Sequence, residues 1–377
     1  MTSHAKYVIP AEHRTWDVPM SGDARFTWEY DDGNARLLAL YQKGKDKQWD
    51  STSRIDWSLD IDPANPLGLP DETNALLGTR QWDKIKGDPR AVGEMRQHLM
   101  AWQFSQFLHG EQGAMICSAR IVESVPGLDA KFYASTQTMD EARHAETYSR
   151  FLGEKVGVLY PINPHLKTLL DQTLSDSRWD MPYLGMQVLI EGLALAAFGV
   201  LRDMTSVALP KQILAYIMQD EARHVAFGRM ALKEYYAELS DAERGEREDF
   251  VVEGCYLMRD RLRGQEVWET LGYDVAECDA ASTSSMFMQA FRSLLFSRIV
   301  PCVKDIGLWG PKVQKAYADM GVLDMAGVDL DALMRGDEDT AERLDAQERE
   351  RRELAEVAEL AARRGQVAET IAVGATA

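Results

Sequence analysis

Hydrophobic residues recur every three or four positions along most of the chain from about residue 91 onward. This spacing is typical of amphipathic helices, and no stretch alternates apolar and polar residues over the length of a strand. The pattern therefore predicts an all-α protein. Long helices are expected near 92–123, 128–155, 178–203, 208–238, 242–268 and 281–300, with shorter ones near 164–175 and 311–320.

The two ends of the chain differ from this helical middle. Residues 1–90 are rich in Pro- and Gly-containing loops, with one helix expected near 34–48. Toward the other end the composition becomes strongly charged, and a mostly polar helix is expected from about Thr340 to a stop at Gly365. The sequence thus divides into an irregular segment packed on the bundle (1–90), the helical bundle (91–330) and a charged C-terminal helix and tail (331–377).

One apolar run, residues 181–201, is long enough to cross a membrane. It carries Glu191 at its centre and Gln187 one turn earlier. A carboxylate at mid-bilayer is costly, whereas a helix that is apolar on all sides also suits the core of a helical bundle. A buried core helix is the better explanation, which leaves the presence of Glu191 to be explained.

Composition and charge exclude several classes of function. The 377 residues carry a net charge of −18, which repels the phosphate backbone of nucleic acids. Four cysteines share no CxxC spacing, which argues against a zinc finger, an iron–sulfur cluster or a disulfide framework. The first residues contain neither a basic nor an apolar signal region, so a cytoplasmic location is expected.

The pentapeptide Asp-Glu-Ala-Arg-His occurs twice, at residues 140–144 and 220–224. In each copy the glutamate and the histidine are three residues apart, so both side chains lie on one helix face and can bind one ion. A single such pair is a weak signal because surface Glu/His pairs at this spacing are common. Two identical copies, each in an apolar helix, are a much stronger indication of a metal site.

A third carboxylate precedes each copy by 30 residues, namely Glu111 in the first half and Glu191 in the second. The two halves are related by a constant offset of 80 residues, which indicates a repeated helical hairpin. The midpoints fall at Pro126 and Ser206, in expected turns, so each glutamate pair lies about 22 Å from its turn. Packing the two hairpins into a four-helix bundle would bring four carboxylates and two imidazoles together.

Four buried glutamates cannot all remain ionised unless cations compensate their charge. Four Glu and two His are the ligands of carboxylate-bridged di-iron and di-manganese bundles, and they suit iron and manganese better than zinc or copper. The alternative is that these residues form ordinary surface faces of amphipathic helices. It does not account for Glu191 inside an apolar run.

This pattern resembles the ferritin-like di-iron proteins of the ribonucleotide-reductase-small-subunit superfamily over roughly residues 35–300. Residues 41–49 resemble the entry helix of several members. The doubled pentapeptide is most similar to the hydroxylase subunits of bacterial multicomponent monooxygenases, and the 30-residue spacings are closer to the benzoyl-CoA and phenylacetyl-CoA epoxidases. The resemblance implies a ferritin-like four-helix bundle with additional helices.

The resemblance also implies roles for individual residues, with one or two of the glutamates bridging the metals. The ligands would be Glu111, Glu141 and His144 for one metal and Glu191, Glu221 and His224 for the other. A surrounding set would hold the histidine tautomers across the pair, unless it forms ordinary helix ion pairs. Its members would be Asp140, Arg143, Asp220 and Arg223.

Other residues near the ligands leave two interpretations open. Tyr148 lies on the ligand face, at the offset of the radical tyrosine in reductase small subunits, and opposite the equivalent Gly228 it can equally line a pocket. Helical glycines beside the ligands either make room for O₂ and substrate or allow close helix packing. These are Gly110, Gly113 and Gly192. Two residues depart from relatives, since Leu195 replaces a threonine of the hydroxylases and Ile217 replaces an additional histidine of the arylamine N-oxygenases.

The function implied is a cytoplasmic di-iron oxygenase that activates O₂ to hydroxylate, epoxidise, N-oxygenate or desaturate a small organic substrate. Apolar residues of the second hairpin predict a largely apolar substrate pocket: Leu189, Ile190, Leu193, Leu195 and Phe198. Two iron ions are expected, with a mixed Fe/Mn site as an alternative. Electrons would come from a separate ferredoxin or reductase, because the chain has no dinucleotide-binding motif or cysteine cluster. The sequence leaves the oligomeric state open, a homodimer included.

Two other classes of function remain open. One is a radical-generating or ligand-binding oxidase of the reductase small-subunit type, which Tyr148 favours and which Glu111 disfavours, since reductase subunits often have aspartate there. The other is a non-enzymatic iron-binding or scaffold protein, although ferritins proper are much shorter.

Overall fold

The computed structural model describes residues 6–8, 10, 14–27, 30 and 33–374, and most of these residues are helical. The helices are α1 (Ala35–Asp46), α2 (Ser51–Arg54), α3 (Arg80–Ile85), α4 (Pro89–Ser124), α5 (Leu128–Phe151), α6 (Pro164–Ser175), α7 (Glu191–Met204), α8 (Ala208–Tyr236), α9 (Asp241–Asp260), α10 (Gln265–Leu271), α11 (Val275–Ser284), α12 (Met286–Asp305), α13 (Pro311–Asp319) and α14 (Leu330–Gly374). Shorter elements are 3₁₀ turns at Asp71–Thr73 and Leu323–Gly327, π-helical segments at Leu152–Val156 and Tyr183–Ile190, and strands β1 (Lys6–Tyr7) and β2 (Val158–Leu159).

The first long hairpin joins α4 and α5 through three residues. Helix α4 begins where the side chain of Asp88 accepts hydrogen bonds from the backbone of its first turn and Pro89 occupies the first helical position. It ends at Ser124, and α5 starts at Leu128, so Pro126 lies in the turn as the repeat predicts. A connection this short makes the two helices antiparallel neighbours.

The second long hairpin joins α7 and α8 in the same way. Helix α7 ends at Met204 and α8 begins at Ala208, so Ser206 also lies in a three-residue turn. Each hairpin packs along its own length, α5 contacts α8, and α1 lies against α5 and α8. Helix α12 covers α7, and α6 contacts α4 and α9. The predicted all-α, ferritin-like bundle with additional helices is therefore confirmed.

Several predicted boundaries differ from the structure. The helix expected near 242–268 is two helices, because Gly264 adopts a left-handed φ of 66° that a continuous helix does not contain. The helix expected near 281–300 is also divided, with α11 ending at Ser284 and α12 beginning after Ser285. The side chain of Ser285 caps α12 by accepting a hydrogen bond from the backbone N–H of Met288.

Two further expectations are corrected. The parallel pair of β1 and β2 was missed because two residues in each strand are too few for an alternating pattern. The charged helix begins at Leu330 rather than near Thr340, and it continues past Gly365 to Gly374. A glycine inside a helix costs about 1 kcal/mol relative to alanine, which weakens a helix without ending it.

The chain forms two compact units, Met1–Leu330 and Asp331–Ala377. The first contains both long hairpins, and the described part of the second is the remainder of α14. In the first unit, the segment Tyr183–Met204 is long and apolar enough to span a membrane, but 83% of its most apolar window is buried inside the protein. This burial agrees with the core helix that Glu191 indicated.

Candidate metal centre

The six candidate ligands come from the four helices of the two hairpins. Helix α4 contributes Glu111 and α7 contributes Glu191 at its first position. Each of the other two helices contributes a glutamate and a histidine one turn apart, Glu141 and His144 from α5, and Glu221 and His224 from α8. All six residues are buried, and none of them is more than 5% exposed. The packing of the hairpins thus brings the repeated residues into one cluster.

The ligand atoms form two overlapping groups, within each of which all atoms lie within 4.8 Å of one another. The first group contains Glu111 and His144, the second contains Glu191 and His224, and both contain Glu141 and Glu221. Two glutamates therefore occupy positions from which each can contact two ions. This is the arrangement of a carboxylate-bridged dinuclear site, and it identifies both bridging candidates, which the sequence left open.

Unpaired buried atoms in the cluster show that these residues fit metal ions. Among the described residues, no hydrogen-bond partner is found for Oε2 of Glu141, Oε2 of Glu191, either carboxylate oxygen of Glu221, or Nδ1 of His224. The Nδ1 atom lies 2.9 Å from Oε1 of Glu141 without hydrogen-bond geometry. Buried carboxylates without donors are costly, and cations at the cluster would satisfy all of them.

The pKa values of the candidate ligands also indicate that positive charge belongs in the cluster. Burial, reinforced by the charge of Glu221, raises the pKa of Glu111 and of Glu191 well above the ordinary value. Burial alone would lower the pKa of His144, but the Glu111 carboxylate and hydrogen bonds, among them the one to Asp220, hold it well above the usual range. Positive charge among these carboxylates, as metal ions would supply, would favour their ionised forms.

The aspartates of the two pentapeptides cross over between the hairpins. Nε2 of His144 lies 2.9 Å from Oδ2 of Asp220, and Nε2 of His224 lies 3.2 Å from Oδ2 of Asp140. A proton on each Nε2 is therefore held by a carboxylate of the opposite hairpin. This arrangement leaves Nδ1 of each ring facing the glutamates, which is the tautomer that binds metal through Nδ1.

The arginines of the pentapeptides complete this surrounding network. Nη2 of Arg143 donates to Asp140 and, over 2.9 Å, to Asp220. Arg223 pairs with Asp220 and lies 3.7 Å from Asp140. Two buried cations thus face two buried carboxylates. All four residues lie beside the candidate histidine ligands, and they make contacts between the two hairpins as well as within each helix.

Two residues near α1 join the network and were missed in the sequence. Gln48 donates to Oδ1 of Asp140 over 2.7 Å and accepts from Arg143 over 2.7 Å. The indole N–H of Trp49 donates to Asp220 over 2.8 Å, and its ring lies under the Arg143 guanidinium. Gln48 and Trp49 are the last two residues of the segment 41–49, which resembles the entry helix of related proteins. That resemblance was the sequence signal that could have identified them.

Gln137 contacts two candidate ligands and is itself contacted by Gln187, and neither role was predicted from the sequence. Nε2 of Gln137, one turn before Glu141 on α5, donates to Glu141 over 3.0 Å and to Glu191 over 2.9 Å. The amide of Gln187 lies 3.3 Å from Oε1 of Gln137. Gln187 belongs to the π-helical segment directly before Glu191, and such segments frequently occur at functional sites. The apolar run at residues 181–201 predicted a helix, but its pattern did not indicate that Tyr183–Ile190 would be π-helical.

Tyr148 is fully buried near the ligands, and the structure corrects its expected neighbour. A Cβ added at Gly228 would meet Gln187 at 2.6 Å, so the space beside Gly228 belongs to Gln187 rather than to Tyr148. The ring of Tyr148 packs on Phe107 and Phe198 at 5.8 and 5.9 Å between centroids. Its hydroxyl has no hydrogen-bond partner among the described residues. Burial, with the charges of Glu111 and Glu221, raises its pKa well above the ordinary value.

Close helix packing accounts for two of the three glycines beside the ligands. A Cβ at Gly113 would lie 2.6 Å from Leu170 of α6, and one at Gly192 would lie 3.3 Å from Ile299 of α12. Gly110 has no neighbour within 4 Å of that position. The apolar residues of the second hairpin that were expected to line a substrate pocket are all buried core residues, at most 4% exposed: Leu189, Ile190, Leu193, Leu195 and Phe198.

Comparison with known proteins identifies solved structures that share the fold of this chain. No family model and no curated protein matches the sequence. Among solved structures, a variant of an R2-like ligand-binding oxidase with an aerobically reconstituted Mn/Fe cofactor is similar with a TM-score of 0.50 and 16% identity, over 72% of this chain and 94% of that one. The chain has an R2-like fold. An R2-like ligand-binding oxidase described after photoconversion gives the same TM-score and 16% identity, over 74% of this chain and 100% of that one.

This likeness agrees with the ferritin-like fold that the doubled pentapeptide suggested. The sequence motifs resemble those of monooxygenase hydroxylases and acyl-CoA epoxidases, whereas these two structural neighbours are R2-like ligand-binding oxidases. At this level of identity the likeness establishes the fold, and the chemistry must be argued from the site itself.

Proposed function

We propose that this protein is a dinuclear metal enzyme that uses O₂ to oxidise a small, largely apolar organic substrate. The observation that carries the proposal is the pair of overlapping ligand groups, which share Glu141 and Glu221 and contain buried carboxylate oxygens without donors. Two iron ions, or one iron and one manganese, would supply O₂ binding and electron transfer at this position. A purely structural cluster has no need of four buried glutamates.

The residues of the chain would hold and tune the ions. Glu141 and Glu221 would each contact both ions, with Glu111 and His144 completing one site. Asp220 keeps the proton on Nε2 of His144, so that the Nδ1 lone pair faces the ion. Glu191 and His224 complete the second site, where Asp140 does the same for His224. The buried aromatic residues around the ligands exclude water from the reaction.

We further propose that the oxidation is an oxygenation with electrons from a separate ferredoxin or reductase in the cytoplasm. Transfer of one oxygen atom of O₂ to a C–H bond consumes two electrons and two protons and releases one water. The chain contains no dinucleotide-binding motif, and its four cysteines are free and buried at separate positions in the described structure. The substrate expected from the apolar surroundings is a hydrocarbon or aromatic group.

The first test is metal stoichiometry after expression with added iron and manganese. Two irons per chain are expected, and Glu191→Ala should lose at least one of them because it removes a ligand of the second site. Glu238→Ala is the matched control, since Glu238 is exposed on the surface. A wild-type protein that binds no transition metal, or a Glu191→Ala variant with unchanged metal content, would contradict the proposal.

The second candidate is a radical-generating or ligand-binding oxidase of the reductase small-subunit type. Tyr148 favours it, because its buried hydroxyl lacks a partner and its pKa is raised by burial and by the charges of Glu111 and Glu221. Electron paramagnetic resonance after reduction and exposure to O₂ discriminates the two. A tyrosyl signal that disappears in Tyr148→Phe supports this candidate, whereas substrate oxidation that survives Tyr148→Phe supports the oxygenase. One iron and one manganese per chain would also favour the second candidate.

A further inference from the structure

A continuous series of aromatic rings leads away from the candidate metal centre. It starts at Tyr133 of α5, whose ring packs edge-on against the candidate ligand His224 at 6.5 Å between centroids. Phe227 of α8 follows at 4.4 Å from Tyr133, and Tyr183 follows at 5.0 Å from Phe227. These separations are those of aromatic side chains in direct contact. The series therefore begins at a ligand and continues without a gap.

The outer end of the series reaches the surface. Trp179 packs on Tyr183 at 5.8 Å, and Tyr235 packs on Trp179 at 4.7 Å between centroids. The three inner rings are buried, whereas Trp179 and Tyr235 are half-buried. The series, called the aromatic row from here on, thus consists of Tyr133, Phe227, Tyr183, Trp179 and Tyr235.

The aromatic cluster on the other side of the ligands is different. It surrounds Tyr148 with buried rings that contact one another: Phe104, Phe107, Phe151 and Phe198. Four of its five rings are phenylalanine. In the aromatic row, four of five rings are tyrosine or tryptophan, which are the aromatic side chains that lose an electron most readily. The row therefore has the composition of an electron route as well as that of a packed core.

Protons decide where along the row an oxidised side chain can persist. An oxidised tyrosine is stable only when its phenolic proton leaves, and the hydroxyls of Tyr133 and Tyr183 have no hydrogen-bond partner among the described residues. Tyr235 is partly exposed, so water can accept its proton. Beside it at 5.8 Å between centroids, Tyr236 donates its hydroxyl to Asp180 over 3.1 Å. An oxidised side chain is therefore more stable at the outer end of the row than inside the protein.

We propose that the aromatic row lets surface residues reduce the metal centre after O₂ has oxidised it in the absence of substrate. One electron moves inward from Trp179 or Tyr235 to the oxidised metal ions, and the N–H or O–H proton of that side chain goes to water. A soluble reductant of the thiol or ascorbate class then returns one electron, and the side chain regains a proton from water. The buried ligands are thereby protected from oxidation. This inference rests on the proposed function and adds a protective electron route to it.

The test is mass-spectrometric mapping of oxidised residues in the full chain. The protein is loaded with iron(II) and exposed to O₂ with catalase present and without organic substrate or reductant. Trp179 and Tyr235 should be oxidised severalfold more than Trp309, which is also half-buried but packs on Tyr317 outside the row. Added ascorbate should remove this excess. Protein loaded with zinc, which has no redox chemistry, should not show it.

The variant Tyr183→Phe tests the row itself. It removes only a hydroxyl that has no hydrogen-bond partner among the described residues, so the packing of the ring is kept. Oxidation of Trp179 and Tyr235 should fall severalfold because the middle ring becomes harder to oxidise, while iron content and O₂ consumption stay unchanged. Tyr273→Phe is the matched control, because Tyr273 stacks on Trp268 outside the row. This control should leave the oxidation of Trp179 and Tyr235 at the wild-type level.

Three outcomes would overturn the proposal in protein that binds iron and consumes O₂. They are equal oxidation of Trp179 and Trp309, oxidation of Trp179 and Tyr235 that Tyr183→Phe does not lower, and oxidation confined to Trp49, which packs on the other candidate histidine at 6.5 Å. Each of these would leave the proposed function intact. A wild-type protein that binds no iron or consumes no O₂ would refute the proposed function, and the electron route with it.

Discussion

Replacement of Asp220 by asparagine separates the outer network from the ligands themselves. Asp220 is 1% exposed and accepts hydrogen bonds from Nε2 of His144 at 2.9 Å, the Trp49 indole at 2.8 Å and Arg143 at 2.9 Å, and it pairs with Arg223. Asparagine has nearly the same shape but no charge. Its amide nitrogen would point a donor at groups that are themselves donors, and two buried arginines would share one carboxylate.

The expected cost follows from the loss of one partner in a buried charge network. Removing one partner of a buried ion pair costs about 3–5 kcal/mol, a large part of the roughly 5–15 kcal/mol by which proteins are stable. Because the residue also holds the proton of His144, metal affinity should fall by about 10–100-fold. The metal effect and the stability effect are measured separately, since unfolding can be followed on the metal-free protein.

The pH dependence of the free energy of unfolding provides a further test of the role of Asp220. Burial alone would raise the pKa of Asp220, but Arg223, His144 and Arg143 hold it well below the ordinary value. A carboxyl with a lowered pKa stabilises the protein above its unfolded pKa of about 3.9, and this contribution is lost as the pH falls through the folded value. The difference between wild type and Asp220→Asn should therefore be largest near neutral pH and shrink below about pH 4.

The assay is urea unfolding of the metal-free proteins at several pH values, followed by metal titration. Asp319→Asn is the matched control, since Asp319 pairs with Lys315 on the surface at 2.6 Å and such pairs contribute at most about 1 kcal/mol. If Asp220→Asn destabilises no more than this control and binds metal with wild-type affinity, the network neither stabilises the fold nor orients His144, and the reasoning is refuted.

Two further predictions concern the metal and the helix packing. Metal affinity should rise with pH, because the pKa values of His144 and His224 are raised and these rings must lose protons to bind metal. Calorimetry in buffers of different ionisation enthalpy should detect the released protons. Metal binding that does not depend on pH would contradict this prediction. Gly110→Ala should stabilise by about 0.5–1 kcal/mol because its Cβ meets nothing within 4 Å, whereas Gly228→Ala should destabilise by about 1–3 kcal/mol because its Cβ would lie 2.6 Å from that of Gln187. Urea midpoints compare the two, and equal shifts would show that the local space has no effect.

Much of the site could be predicted because it depends on helical periodicity. The doubled pentapeptide places glutamate and histidine on one face, and the equal distances from Pro126 and Ser206 place both pairs at one height. Turns of three residues at both places then allow only antiparallel pairing of neighbouring helices. These relations hold within about 30 residues of chain, where the geometry of a helix leaves little freedom.

Other features could not be predicted because they depend on contacts distant in sequence. Trp49 reaches Asp220 across 171 positions of the chain, and nothing in its local pattern indicates that contact. The π-helical turn before Glu191 arises in a run that is apolar on every side, so its hydropathy has no period to reveal a wider turn. The break at Gly264 depends on a backbone conformation that glycine permits but does not require.

Helical spacing along the chain was enough to predict the helical class, the two hairpins and the six candidate ligands, because each follows from a residue type at a fixed interval. Tertiary structure decided which glutamates are shared between the two ligand groups and that each histidine pairs with the aspartate of the other hairpin. Those relations depend on how helices pack side by side, and side-chain packing between distant segments is not encoded in the period of any one of them.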